Sequence, residues 1–288
     1  MSAKRPYPGS SAERSRLVRN LEKVGPVRFL VRLARDQKMV TRLHRCYYSR
    51  NHRKVEIDIT YRCNVKCVGC NRSCTQLPAK EQMTLEQIER FVKESVEKES
   101  RWQSIMLIGG EPTLHPDLLE IIKVLHDYKD RHSPEAQIIL ATNGSGSRVH
   151  RVLETIPEGV VLRNTEKDLV GYQHEAFNDA PQDSLLYKLA DYTFGCGMSH
   201  YCGTGLTPFG YYTCPIAGGG IDRVFGFDLG RKQLPDPDDQ MEEQRTALCR
   251  YCGHFKQKYR DLNRNVITPS WEAAYRNARE KAPVLSYY

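Results

Sequence analysis

The chain of 288 residues contains no apolar run near the roughly 18 residues that a membrane-spanning helix needs. Its first residues, MSAKRPYPGSSAERSR, hold no hydrophobic stretch of the kind a secretion signal carries. A membrane partner is therefore not expected, and the chain reads as a soluble cytoplasmic protein. Internal repeats and long low-complexity tracts are also missing, and the length suits one domain of α/β-barrel size or two small ones, with a core that needs no staples. Acidic residues are scarce at the start: Met1 to Lys54 holds 15 Lys and Arg against 3 Asp and Glu, a charge of +12, which leaves −4 of the total +8 for the remainder. What is plentiful is cysteine, ten in all. In a reducing cytosol, cysteines at short spacings are more often metal ligands or redox groups than a disulfide framework.

Residues 1–54 read as a basic helical segment. Val27, Leu30, Val31 and Ala34 recur at helical spacing while Arg28, Arg32 and Arg35 take other faces. Beyond it strand and helix alternate. KVEIDIT is a strand, and Thr84 with Gln87 caps a helix whose apolar face is Leu85, Ile88, Phe91, Val92 and Val96. SIMLIGG is a second strand; Pro116 precedes a helix through Leu118, Leu119, Ile122 and Leu125. AQIILATNG is a third strand, a short helix spans Val149 to Leu153, and GVVLRN is a fourth strand. YTFGC is taken as a fifth strand, no sixth is visible, and a last helix runs from Ser270 to about Lys281. Such alternation predicts a parallel sheet with right-handed crossovers. The fold class is α/β, a partial (β/α) TIM-like barrel of five or six parallel strands over 55–195, with a small cysteine-rich C-terminal module over 196–288. Parallel sheets bind ligands at the carboxyl ends of their strands. Cys63, then Gly109, Gly110, Glu111 and Pro112, then Thr142, Asn143 and Gly144, and finally Arg163, Asn164 and Thr165 all fall there.

The stretch YRCNVKCVGCNRSC places Cys63, Cys67, Cys70 and Cys74 within fourteen residues directly after the first strand. Three thiolates can hold three irons of a four-iron cluster and leave one iron open to another ligand, which makes it a reaction site. With GGEP after the second strand and TNG after the third, this Cys-x3-Cys-x2-Cys triplet resembles the radical S-adenosylmethionine (radical SAM) family over roughly Val55 to Thr165. The resemblance implies a [4Fe-4S] cluster on Cys63, Cys67 and Cys70 that chelates S-adenosylmethionine. It implies that the GGEP turn receives the methionine amino group through backbone carbonyls and Glu111, with Thr142, Asn143, Arg163 and Asn164 further along the cofactor. Gly69 stands where the family often has an aromatic residue. Cys74 is either a fourth ligand, a redox or hydrogen-donor thiol, or a small inert side chain. A structural zinc site is the competing reading of the triplet, although zinc favours four ligands in paired knuckles.

A second set comes later in the chain, Cys196, Cys202, Cys214, Cys249 and Cys252. Its text, CGTGLTPFGYYTCP and later LCRYCGHF, resembles the Twitch module, the shorter relative of the SPASM extension. That resemblance implies an auxiliary [4Fe-4S] or [2Fe-2S] cluster, with Cys196 or Cys202 as its first ligand and Cys214, Cys249 and Cys252 as the others. The same thiolates also suit a zinc ribbon.

The two resemblances together imply a function. The enzyme would cleave S-adenosylmethionine reductively and use the 5′-deoxyadenosyl radical to take hydrogen from a substrate C–H bond. An auxiliary cluster that accepts the electron left on the substrate makes net oxidation of a small polar metabolite the leading reaction. Radical C–C or C–S bond formation, or epimerisation, on a peptide is the alternative, but no leader-binding segment is visible. The expected partners are a small, possibly anionic substrate and an external electron donor such as flavodoxin or ferredoxin. A reading of another class, a basic zinc protein that contacts nucleic acid, rests on HRCYYSRNHRK. It leaves GGEP and the open triplet without a purpose.

Overall fold

The computed structural model describes residues 5–6, 25–44, 46–78, 81–167, 177–256 and 266–288. Arg45 and the side chain of Arg28, both in the basic segment, lie outside the described residues. Six strands form one sheet: β1 (Lys54–Thr60), β2 (Ser104–Gly109), β3 (Gln137–Thr142), β4 (Val160–Asn164), β5 (Thr204–Thr207) and β6 (Gly210–Tyr212). Their order is β4-β3-β2-β1-β5-β6, parallel throughout except for the antiparallel β5–β6 hairpin. The four strands expected between Lys54 and Asn164 are present. YTFGC is not the fifth: Tyr192–Phe194 is a single 3-10 turn. The fifth strand is TGLT, inside the stretch read as a separate module, and it pairs with β1 instead of following β4. It is short, and its Gly205 is required by packing, since a Cβ there would lie 2.5 Å from Pro215 Cα.

Alternation in β1 has a less ordinary meaning than one wet and one dry face. Val55, Ile57 and Ile59 pack into the main core, while Glu56, Asp58 and Thr60 on the other face are buried too. The core on the first face is completed by α3 (Leu85–Glu97) and α4 (Leu118–His132). Thr84 accepts from Gln87 N at 3.3 Å and the Gln87 side chain accepts from Thr84 N at 3.0 Å, which closes the predicted capping box. Ile88 and Phe91 are buried, but Val96 has turned outward at 37% exposure. In α4, Leu118, Ile121, Ile122 and Leu125 face inward and Leu119 faces solvent. α5 (Ser147–Leu153) buries Val149.

A second core surrounds the cysteines. It gathers Tyr61, Cys74, Phe177, Tyr212, Cys214, Leu248 and Cys252, and α7 (Pro269–Glu280) adds Trp271, Ala274, Tyr275 and Ala278 at helical spacing. Between Cys214 and the short α6 (Glu242–Leu248) lies a π-helical turn, Ala217–Asp222, built on three successive glycines. At the N-terminal end, α1 (Gly25–Arg35) and α2 (Lys38–His44) dock on residues 186–191 through Lys38 N to Leu189 O at 2.9 Å and Asp191 N to Asp36 O at 2.8 Å. No helix among the described residues is long and apolar enough to cross a membrane.

Candidate functional site

The loop after β1 carries the triplet, and the sheet closes the space around it. Cys63, Cys67, Cys70 and Cys74 border one cavity of about 270 Å³ together with Gly109, Gly110, Thr142, Asn143, Arg163 and Lys167. Residues from the ends of four parallel strands, far apart in sequence, thus meet at one place. Gly69 gives the loop a left-handed turn between Cys67 and Cys70, with φ 64°. Asn143 Nδ2 donates to Asn64 Oδ1 at 2.8 Å and reaches Cys63 Sγ at 3.9 Å, so the TNG loop is laced to the triplet loop.

The GGEP turn is fastened to the end of β1. Gly110 N donates to Thr60 O and Glu111 N to Arg62 O, each at 2.7 Å, and a Cβ on Gly110 would lie 2.1 Å from Arg62 O. The glycines are therefore demanded by the close approach of this turn to the end of β1. Glu111 is fully buried, and its carboxylate accepts from Thr113 N, Thr113 Oγ1, Thr142 Oγ1 and Asn143 N at 2.7–3.2 Å. It ties the GGEP turn to the TNG loop. Pro112 opens a 3-10 turn behind it, and Asn164 Oδ1 accepts from Glu166 N at 2.9 Å. Neither is part of the cavity wall.

The floor contains groups that carry no motif. Arg72, two residues past Cys70, sends Nη2 to Glu56 Oε2 at 2.9 Å and Nε to Asp58 Oδ1 at 3.3 Å, all three nearly or fully buried. Two carboxylates share one guanidinium, and burial pushes the Asp58 carboxyl up to about 6 although Arg72 pulls the other way. Gly219 and Gly220 approach from the π-helical turn: a Cβ would meet Asp58 Oδ2 at 2.3 Å and Asn71 O at 2.1 Å respectively. Three glycines shortly after Cys214 are the available sequence signal. For Glu56, Asp58 and Arg72 the only hint is acidic residues on a strand buried on both faces.

The thiols differ in state. Burial pushes Cys63 up to about 11, whereas a hydrogen bond from the Cys74 thiol brings Cys70 down to about 6 and raises Cys74. Cys74 is thus packed against Cys70 at the cavity wall. Among the later cysteines, Cys196, Cys214, Cys249 and Cys252 lie close enough to repel one another's ionised forms, and burial raises all four. Cys202 is at the cavity wall, where burial and the neighbouring Glu56 raise its thiol, and it is also within charge range of Cys214. The fully buried Arg245 faces Cys249, Cys196 and Cys214 and donates to Thr213 Oγ1 at 3.1 Å. None of the nine described cysteines is in a disulfide. Among the described residues no three His, Cys, Asp or Glu side chains close on a single point as one metal ion would need.

A loop of three soft thiolates at the carboxyl end of a parallel sheet has the donor chemistry that suits an iron-sulfur group beside an α/β site. Residues 57–178 match the family model described as the Radical SAM superfamily, and this part of the chain is a radical SAM domain. Similar curated proteins include a probable GTP 3′,8-cyclase of Thermococcus kodakarensis, 34% identical over 91 residues, which are 32% of this chain and 27% of that protein. A GTP 3′,8-cyclase of Nautilia profundicola is 27% identical over 150 residues, 47% of this chain and 45% of that one. The chain therefore spans less than half the length of these relatives. Among solved structures, BtrN in complex with AdoMet and 2-DOIA aligns over 74% of this chain and 99% of that chain, at 14% identity and a TM-score of 0.44.

Proposed function

We propose that the protein is a radical SAM enzyme acting on a small anionic metabolite, with a second iron-sulfur cluster in its C-terminal part. The observation that carries the reading is the single cavity shared by Cys63, Cys67, Cys70, Gly109, Gly110, Thr142 and Asn143. In this reading the three cysteines hold a [4Fe-4S] cluster, and the two glycines, Thr142 and Asn143 border the S-adenosylmethionine. When bound, that pair supplies a 5′-deoxyadenosyl radical that takes hydrogen from a C–H bond. The protein's own part is positioning. Glu111 holds two of the bordering loops at fixed separation, Arg163 and Lys167 offer positive charge to an anion at the wall, and the Glu56–Arg72 pair forms a polar floor.

Cys196, Cys214, Cys249 and Cys252 are the ligand set proposed for the auxiliary cluster, with Cys202 left as a cavity thiol. Burial keeps protons on four crowded thiols unless a cation replaces them, so the set suits a metal group and not free thiolates. The relatives' names make GTP the first substrate to try. Net oxidation of a small polar metabolite is the second reading, favoured by a cluster site next to the cavity, where Cys202 is close enough to Cys214 for their charges to interact. Flavodoxin or ferredoxin would supply the first electron, in the cytoplasm. The test is anaerobic reconstitution, measurement of iron and sulfide, and an assay for 5′-deoxyadenosine with GTP, other nucleotides and sugar phosphates as substrates. Reduced protein that holds iron yet makes no 5′-deoxyadenosine with any of them, or that holds zinc, would reject the proposal.

A further inference from the structure

None of the described residues of the basic N-terminal segment lines the cavity around the triplet, and their surroundings point elsewhere. α1, α2 and residues 185–189 meet edge to edge: Gln37 pairs with Ala190, Gln37 Nε2 donates to Leu186 O at 3.2 Å, and Thr41 Oγ1 donates to Asp191 Oδ2 at 2.7 Å. On the outer side of this junction stand Leu30, Met39, Leu43, Leu185, Leu186 and Leu189, each between 54% and 88% exposed. Large apolar side chains exposed on segments that are hydrogen-bonded to one another mark an interaction site. The exposed charges on α2 and between Leu186 and Leu189 are basic, Lys38, Arg42 and Lys188. Of the acidic neighbours among the described residues, Asp36 is buried against Arg35, Asp191 accepts from Thr41 and Thr193, and Asp183 is the one exposed carboxylate at the edge, against three exposed cations.

Directly beneath lie Cys249 and Cys196 of the second cysteine set. Tyr187, Ala190, Phe255 and Cys249 form one buried cluster, and Leu33, Tyr192 and Cys196 pack against it. A single layer of side chains therefore separates the exposed patch from Cys249 and Cys196. We propose that this patch docks a small acidic one-electron carrier protein, which exchanges electrons with the cluster held by Cys196, Cys214, Cys249 and Cys252. The proposal rests on the auxiliary-cluster assignment of those four cysteines. Its occupant is fixed by charge complementarity and by place: a basic rim around an apolar centre steers an acidic protein and then seats it, and redox encounters need only a small interface. The step is one electron from the reduced carrier to the oxidised cluster, or the reverse after turnover, with no bond made or broken.

The experiment mixes anaerobic holoprotein with reduced flavodoxin or with a reduced plant-type ferredoxin in a stopped-flow spectrometer and follows bleaching of the cluster absorption. Photoreduced deazariboflavin, a small uncharged donor, serves as the control. Two variants are compared with the parent, Lys38→Glu/Arg42→Glu/Lys188→Glu and Leu43→Ser/Leu189→Ser. Expected is a fall of about tenfold in the second-order rate with at least one carrier in both variants, and loss of its salt dependence in the charge variant, while the deazariboflavin rate is unchanged. Carrier rates equal to the parent's would overturn the proposal. So would failure of both carriers to reduce protein that deazariboflavin reduces, or a parent that is a dimer through this face. Parent protein without a second cluster's iron and sulfide rejects the auxiliary-cluster assignment instead, and shows itself before any carrier is added.

Discussion

At the scale of single residues, the polar floor shows how burial decides what a side chain does. Burial lifts the Asp58 carboxyl from the ordinary value of 3.8 to about 6, although its ion pair with Arg72 pulls the other way. Because the folded Asp58 value, about 6, lies above the ordinary one, the native state binds the extra proton between those pH values. Stability from this group is therefore greatest below about pH 4, declines as pH rises through about 6, and is flat above, a change on the order of 3 kcal/mol at most. Urea unfolding of the metal-free protein should show that slope, and Asp58→Asn should flatten it. Arg72→Met should lower stability by about 3–5 kcal/mol, since it strands two buried carboxylates. The cysteines offer a second contrast. Cys202→Ser is expected to keep the iron of both clusters, and Cys196→Ser to lose the auxiliary cluster's iron alone, as measured by iron and sulfide analysis. Equal losses in the two variants would refute the division of thiols drawn from their positions.

Secondary-structure elements separate stability from site assembly. Thr84 caps α3 far from the cavity, so Thr84→Ala should reduce unfolding free energy by about 1 kcal/mol and leave S-adenosylmethionine binding unchanged. Gly110 lies on the turn after β2, with the Arg62 carbonyl where a side chain would begin. Gly110→Ala must push the turn away from β1, and with it Glu111 and the TNG loop. Its expected effect is loss of S-adenosylmethionine binding by at least tenfold, or about 1.4 kcal/mol, in an equilibrium titration of soluble, iron-loaded protein. The capping box, the βαβ rhythm and the cavity-lining glycines are legible in the sequence because each is a local pattern. β5 is not, because TGLT is four residues long and takes its stability from β1, some 150 positions earlier, where Val55 aligns with Thr204. Spacing alone assigns Leu119 to the core, and only the docking of α4 on the sheet shows that Ile121 takes that place.

Across the whole molecule, the two cysteine sets are joined by one sheet and one packed core. β5 and β6 extend the same sheet that carries the triplet loop, and the π-helical turn after Cys214 presses on Asp58 and Asn71. The expected outcome is that protein with Cys63, Cys67 and Cys70 all replaced by Ala retains one cluster's worth of iron and sulfide. A triple variant with no iron would contradict independent sites. The sequence by itself determined the strand-helix alternation, the three soft thiolates on a loop after the first strand, and the existence of a second thiol-rich stretch, because these depend on periodicity and spacing within a few tens of residues. Only the tertiary structure brings Cys196 together with Cys214, Cys249 and Cys252, and sets Cys202 between Cys214 and Glu56. It also decided that Glu111 accepts hydrogen bonds from Thr113, Thr142 and Asn143, that Glu56, Asp58 and Arg72 form a polar floor, and that exposed leucines with lysine and arginine lie over Cys249. Each of these is a relation between segments distant in sequence, set by which faces the packed sheet brings together, and no local pattern encodes it.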